Sequence, residues 1–468
     1  MSSFSEKFIR SFRAALPSPL SIAIGLTIIT FILALIFTTG QSNGIGNHIL
    51  ELAEYWENGL WGLDQKDGAW VRSWQLPFLV QMMLMLVLGY ILALSAPVKL
   101  FIGYLTQFCT NTARAAFIVT ILTLIISLIN WGLGLIFGAI FARKVAEFAE
   151  ERQFNLNYGL IGAAGYSGLM VWHGGLSGSA PIKASEPGNL LSLLPDTPGI
   201  PDRISMNETV FSTMNIVVSI TLLIVLPMAM YWMGKRVKSQ PIILKKEKRN
   251  TLETQELIGA EKLDHYRLFS TMIGSLIVLY TLYLFFIKPD VISLKTITPD
   301  FINLSLLGWA FLLHQSIFKF LNALDNAIGS SSGILIQFPF YFGILGIMKY
   351  SGLMGLMSDF FVDISTSTTF SINTFFSAGI VNIFVPSGGG QWAVQGPIIL
   401  QAAQDLNLSI PESIMAIAYG DQLTNMLQPF WALPLLGITG LKPKDILPYT
   451  LFLMGLGTII FILGLLIF

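Results

Sequence analysis

The sequence predicts an all-α polytopic membrane fold built as an inverted repeat, with two re-entrant hairpins and two broken transmembrane helices. Three observations carry this expectation. The 468 residues are 53% apolar and only 12% charged, with a mean hydropathy of +0.68, whereas a soluble domain carries about 25% charge. Many apolar runs reach the ~20 residues needed to cross a bilayer. The two halves of the chain also resemble each other at a nearly constant offset.

Composition excludes several classes. The 27 basic residues balance 27 acidic ones, which removes the electrostatic footprint of a nucleic-acid partner. A single cysteine, Cys109, excludes an internal disulfide framework and a cysteine-built metal site. The 34 Phe and 10 Trp suit lipid contact and membrane interfaces.

Continuous spans are expected at 18–38, 76–96, 157–182, 209–233, 267–287, 301–317, 332–350, 412–437 and 446–467. Two further stretches, 115–142 and 372–402, carry glycines and polar residues at their middles and read as hairpins. The first run lacks a small-residue cleavage site and leads into further apolar segments, so it reads as a span rather than a signal peptide. Basic residues should collect on the cytoplasmic side. Lys7, Arg10 and Arg13 precede the first span, and Lys235, Arg236, Lys238, Lys245, Lys246, Lys248 and Arg249 follow the fourth. The 39–75 loop holds Glu51, Glu54, Glu57, Asp64 and Asp67. The amino terminus is therefore expected in the cytoplasm and the carboxyl terminus outside, provided that each hairpin enters and leaves on one side.

Gln81–Leu94 aligns with Gln337–Tyr350, Ile129-Asn130 with Val381-Asn382, and Tyr166 and Pro181 with Tyr419 and Pro434, at offsets of 256, 252 and 253. This divides the chain into a first repeat at 1–234, a basic cytoplasmic linker at 235–266, a connecting helix and outer loop at 267–300, and a second repeat at 301–468. Inverted repeats are typical of secondary transporters.

Three constellations could carry chemistry. The hairpin tips read Asn130-Trp131-Gly132-Leu133-Gly134 and Asn382 through Trp392, the latter including Pro386-Ser387-Gly388-Gly389-Gly390. Consecutive glycines expose backbone groups, which lipid tolerates only where protein or a water-filled cavity surrounds them. Exposed amides bind carboxylates, and exposed carbonyls with Asn or Ser oxygens bind sodium. The alternative is close packing by small residues. The second constellation interrupts the spans after each hairpin: His173-Gly174-Gly175-Leu176-Ser177-Gly178-Ser179-Ala180-Pro181, and Asp421-Gln422-Leu423-Thr424-Asn425-Met426-Leu427-Gln428-Pro429. Discontinuous helices in corresponding places of two halves point to a transport site, and the bland alternative is a proline kink. The third is an ionisable group at membrane depth. Asp421 is a functional-site hypothesis by default, unless it lies solvated at a helix end. His173 has a structural alternative as a core residue, His314 reads as interfacial, and His48 and His265 fall in loops.

A rival comes from another class. Gly175-Leu176-Ser177-Gly178 is similar to the serine motif of rhomboid intramembrane proteases, with His314 as candidate base. The absence of a serine from the matching second-half region and the duplicated architecture count against it. A channel is a third reading.

Asn130-Trp131-Gly132 with Gly134, Gly175-Leu176-Ser177-Gly178-Ser179 with Pro181, Gln337-Phe338-Pro339-Phe340-Tyr341, the run VPSGGGQWAVQGP at 385–397 and AYGDQLTNMLQPFWALP at 418–434 resemble the short-chain fatty acid transporter family, from about Pro17 to the end. The resemblance implies uptake of acetoacetate- or butyrate-like carboxylates across the bacterial inner membrane. The wider ion transporter superfamily adds homodimers and elevator-type movement. His173 departs from the small residue expected in the family pattern. Ser177, Ser179, Ser387, Asn382 and Asn425 offer partners for a carboxylate head or a cation, and Trp131, Trp392, Phe430 and Trp431 an apolar wall. Gly178, Thr424 and Gln428 complete the candidate set. None of these segments holds an arginine, so a guanidinium clamp would have to come from elsewhere. No cofactor is expected beyond a coupling ion. Sodium near Asn130, Asn382, Ser387 and Asn425 is favoured over a proton, because Asn, Ser, Thr and Gly outnumber proton carriers at both interruptions. A small dicarboxylate is the alternative substrate.

Overall fold

The computed structural model describes residues 18–38, 44–66, 69–72, 75–194, 199–242, 244, 259, 261–288 and 298–468. The basic residues before the first span, half of the linker and the outer loop near 290 lie outside these residues. The fold is all-α apart from a two-stranded antiparallel hairpin, Leu63–Lys66 with Ala69–Arg72. Seven helices among the described residues are long and apolar enough to cross a membrane. Six of them, Pro19–Phe37, Gln75–Leu94, Thr213–Arg236, Arg267–Phe286, Ser332–Tyr350 and Pro443–Ile467, coincide with expected spans. The seventh is Thr112–Ile129, the first arm of the first expected hairpin. The span expected at 301–317 is the shorter helix Pro299–His314, which stops where Gln315 turns into the left-handed region.

The spans at 157–182 and 412–437, which the sequence expects to be broken, are interrupted. Each splits into helix, 3-10 turn, bend and second helix. The first runs Tyr158–Tyr166, Ser167–Met170 and Ser179–Ser185; the second runs Ile410–Thr424, Asn425–Leu427 and Pro429–Thr439. We call residues 171–178 and 425–428 the first and second breaks. The stretch 115–142 becomes Thr112–Ile129 and Trp131–Glu151, and 372–402 becomes Phe370–Phe384 and Gly388–Asp405. Each tip turns on one extended polar residue that caps the helix after it. Asn130 (φ −152°) accepts the Leu133 amide, and Ser387 (φ −151°) accepts that of Gly390.

The loop at 39–75 is more structured than its composition suggests. Ile45–Leu60 is a helix that buries His48, Leu52, Tyr55 and Gly59 against Ser332–Tyr350, while Glu54 and Glu57 stay exposed. His48 therefore sits on a buried helix face rather than in a loop. His265 ends the short helix Glu261–His265 and stacks on Phe318 at 4.0 Å. His314, the last residue of Pro299–His314, is buried, with Nε2 2.8 Å from the Ile91 carbonyl oxygen.

The arms of the first hairpin lie close because glycine permits it. A Cβ on Gly134 would meet Ser127 Cα and Cβ at 2.7 Å, and one on Gly138 would collide with the Gly165 carbonyl. Gly132 abuts Met85. Replacing Gly134 by Val is expected to destabilise the protein by roughly 1–3 kcal/mol through overpacking. A thermal unfolding midpoint equal to wild type in detergent would contradict that packing.

Candidate functional site

The breaks leave amides and carbonyls without regular helix partners, and these are met partly from the other half and partly from within their own. Gln422 Oε1 accepts the amides of His173 and Gly174 at 2.9 and 3.2 Å. Asn215 Nδ2 donates to the Gly174 carbonyl at 2.8 Å, and its Oδ1 accepts the Tyr419 hydroxyl at 3.0 Å. In the other direction Tyr166 donates its hydroxyl to the carbonyls of Asn425 and Gln428 at 2.7 and 3.2 Å. Asn382 Nδ2 lies within donating distance of the Asp421 carbonyl (2.7 Å), Thr424 Oγ1 and Asn425 Oδ1 (both 3.0 Å). The Gln428 amide donates back to the Asn382 carbonyl.

A second set of contacts ties the first tip to the first break. Ser177 Oγ accepts the Trp131 amide at 3.0 Å and the Leu128 carbonyl accepts the Leu176 amide at 2.7 Å. Gly178 turns tightly enough that a Cβ would collide with the His173 carbonyl. Ser177 and His314 are engaged in separate places, on Trp131 and on Ile91, so they form no nucleophile–base pair.

Asp421 is buried rather than solvated at a helix end. Its Oδ2 stands 3.2 Å from His173 Nδ1, with the two side chains 2% and 0% exposed. The pair is off hydrogen-bond alignment, and neither atom has another hydrogen-bond partner. His173 Nε2 accepts the Ala180 amide at 3.0 Å, and the ring stacks on Trp172 at 4.3 Å.

In front of this seam lies a cavity of about 560 Å³, within the range of small-molecule sites. Ser179, Pro386, Ser387, Gly388, Gly389 and Gly390 line it from the candidate set. Trp131 and Trp431 form part of its wall, joined by Trp172 and Phe78, which sequence reasoning missed. Trp131 meets Trp431 at 5.1 Å and Trp172 at 6.1 Å. Two further residues missed from sequence, Lys183 and Lys349, bring ammonium groups, and Lys183 also pairs with Glu186 at 2.9 Å. Lys183 lies two residues beyond the Ser179–Pro181 motif, a signal available in the sequence; Lys349 lies outside every motif.

The helix Gly388–Asp405 starts at the cavity, and its first amides have no acceptor within the helix. A Cβ on Gly389 would meet nothing within 4 Å, and Gly389 is not in the left-handed region. Its glycine is therefore explained by open space and not by backbone conformation.

The other candidate residues stand behind the cavity or around the tips: Asn130, Gly132, Gly134, Ser177, Gly178, Asn382, Asp421, Thr424, Asn425 and Gln428 are not on its wall. Trp392 packs elsewhere, its Nε1 donating to Asn189 Oδ1 at 3.2 Å, and Phe430 stacks on Phe338 at 4.0 Å. The oxygens of Asn130, Ser387 and Asn425 accept hydrogen bonds within the fold. Among the described residues no three His, Cys, Asp or Glu side chains gather as a metal centre. A larger groove of about 1210 Å³ is lined by Lys99, Lys144, Glu147 and His314 among others and contains none of the candidate transport residues.

Gln422→Leu would orphan the His173 and Gly174 amides, each at roughly 1–3 kcal/mol. The variant is expected to unfold at a clearly lower temperature than wild type, with Gln422→Glu, which keeps the acceptor, falling between them. Equal midpoints for all three would contradict the cross-half bonding.

Residues 1–468 match the short chain fatty acid transporter family profile. A protein of Escherichia coli (strain K12), provisionally named short-chain fatty acid transporter, is 36% identical over 473 residues, covering 100% of this chain and 99% of its own. One from Haemophilus influenzae with the same provisional name is 36% identical, covering 99% and 98%. Among solved structures, the Alcanivorax borkumensis YdaH transporter gives a TM-score of 0.44 at 13% identity, covering 96% of this chain and 98% of that one. Neisseria gonorrhoeae MtrF, described among antimetabolite efflux pumps, gives 0.40 at 12% identity, covering 97% of each chain. By its full-length match and these relatives, the chain belongs to the short-chain fatty acid transporter family.

Proposed function

We propose that this protein is a secondary active transporter that takes up short-chain monocarboxylates, acetoacetate- or butyrate-like, by symport with a cation across the bacterial inner membrane. The carrying observation is the composition of the 560 Å³ cavity. It sets first-turn amides and two lysines beside a wall of three tryptophans and a phenylalanine, the pairing that a charged head and a short apolar tail require. An unfilled helix start favours an anion, and the ammonium groups supply the charge that the absent arginine would have given.

The same reading takes the two halves, 1–234 and 301–468, as inverted repeats joined through the 235–266 linker and the 267–300 connector. Each hairpin then re-enters from its own side, the amino terminus faces the cytoplasm, and the protein works as a homodimer. The matched order of elements at the two breaks supports the repeat.

Radiolabelled butyrate counterflow in proteoliposomes tests the proposal. Loaded unlabelled butyrate should drive transient accumulation of label above equilibrium, which a channel cannot do. Label that only equilibrates would refute carrier transport of butyrate, and accumulation of succinate instead would support the dicarboxylate alternative. Gly389→Val should fold as wild type, since the site is open, yet lower counterflow at least about tenfold, the equivalent of ~1.4 kcal/mol. Wild-type counterflow in that variant would remove the second tip from the substrate site.

A further inference from the structure

We infer that the coupling ion is a proton and that the His173–Asp421 pair, one residue from each break, is where it is carried. This rests on the carboxylate-uptake proposal and deepens it. The pair is the meeting point of the two halves: His173 follows Trp172 on the cavity wall, and Asp421 precedes Gln422, which holds the first break. A Cβ on Gly388 would stand 3.0 Å from His173 Cε1, so the imidazole lies directly behind the second tip.

The protonation state follows from the partners. Because the Ala180 amide donates to Nε2, that nitrogen keeps its lone pair and the ring proton sits on Nδ1, facing Asp421. A second ring proton would cost the Ala180 bond. A proton entering the pair therefore forms an O–H bond on Asp421, changing the pair from −1 to neutral, and release to the other side breaks the same bond. No oxidant or co-reactant is involved.

Coupling follows from charge. An ionised Asp421 behind the tip repels a carboxylate in the cavity, strongly so in a medium of low dielectric. Loading the proton removes the repulsion, so anion and proton enter together and the transfer is electroneutral.

Few other groups compete for the proton. Phe370–Phe384, packed against Ile410–Thr424, contains no titratable residue. Tyr166 and Tyr419 donate their hydroxyls to amide oxygens. On the cavity side stand Lys183, paired with Glu186, and Lys349. Ile410–Thr424 has Glu412 in its first turn, Gly388–Asp405 ends on Asp405, and Pro443–Ile467 carries Lys444 and Asp445 in its first turn. Thr213–Arg236 presents Asn215 here and bears Lys235 and Arg236 in its last turn. Of the oxygens that favoured sodium in the sequence, those of Asn130, Ser387 and Asn425 accept hydrogen bonds within the fold, while Asn382 Oδ1 is buried with no hydrogen-bond partner.

The test uses full-length protein in sodium-free proteoliposomes, with uptake into protein-free liposomes subtracted because the protonated acid crosses lipid unaided. Wild type should accumulate butyrate under an inside-alkaline gradient, with no response to an imposed sodium gradient or membrane potential. Asp421→Asn should retain counterflow exchange, lose pH-driven accumulation, and exchange at a rate independent of pH. Asp421→Glu should restore pH-driven accumulation. Wild-type accumulation under a sodium gradient alone, or pH-driven accumulation by Asp421→Asn, would overturn the proton assignment and leave carboxylate transport standing. Absence of wild-type counterflow would instead refute the transport proposal itself. Should Asp421→Asn fail to fold, the wild-type gradients and Asp421→Glu decide the question.

Discussion

Backbone that leaves a helix inside a membrane must find its hydrogen-bond partners in protein, because lipid offers none. In this fold that constraint is met partly across the two halves and partly within them. Gln422 and Asn215, the latter held by Tyr419, satisfy the first break, while Tyr166 and Asn382 satisfy the second. The seam where they meet is polar and buried, and it positions the hairpin tips. Asn130 ends one arm and caps the next in a single residue, and Ser387 caps the second arm of its own hairpin.

The same constraint locates the cavity. Where the second tip approaches the first break, Gly388 leaves room for His173, Trp172 and Ser179, and Gly389 faces open space. Binding in that space would press directly on the imidazole behind it. A change of charge at the pair and a change of occupancy in front of it are thus mechanically adjacent, as coupled movement of an ion and an anion requires. The aromatic wall contributes apolar surface with little conformational entropy, which suits a short tail.

Much of this was legible in the sequence because hydropathy reports lipid exposure directly. The long apolar helices stand where expected, and Pro386 through Gly390 announced an irregular tip. The breaks were visible as polar motifs at matched offsets. Helix Ile45–Leu60 was hidden because its apolar positions, Leu52, Tyr55 and Gly59, are spaced for one buried face among acidic neighbours. The His173–Asp421 contact joins residues 248 apart in the chain, and no local pattern encodes such a pairing. Lys349 escaped notice for a similar reason: its position on the cavity wall follows from how Ser332–Tyr350 packs, while its sequence neighbours are apolar. Gln422 lay inside a motif, but only the fold reveals that its oxygen holds two amides of the other half.

The central claim is that a short carboxylate binds where the second tip meets the first break. Hydrogen–deuterium exchange of the purified protein, with and without butyrate, addresses it without requiring transport. The account predicts slowed exchange together in residues 172–180, 386–392 and 425–428, with the groove around Lys99, Lys144 and His314 unchanged. Protection confined to that groove, or butyrate-dependent protection absent from both the tip and the first break, would contradict it.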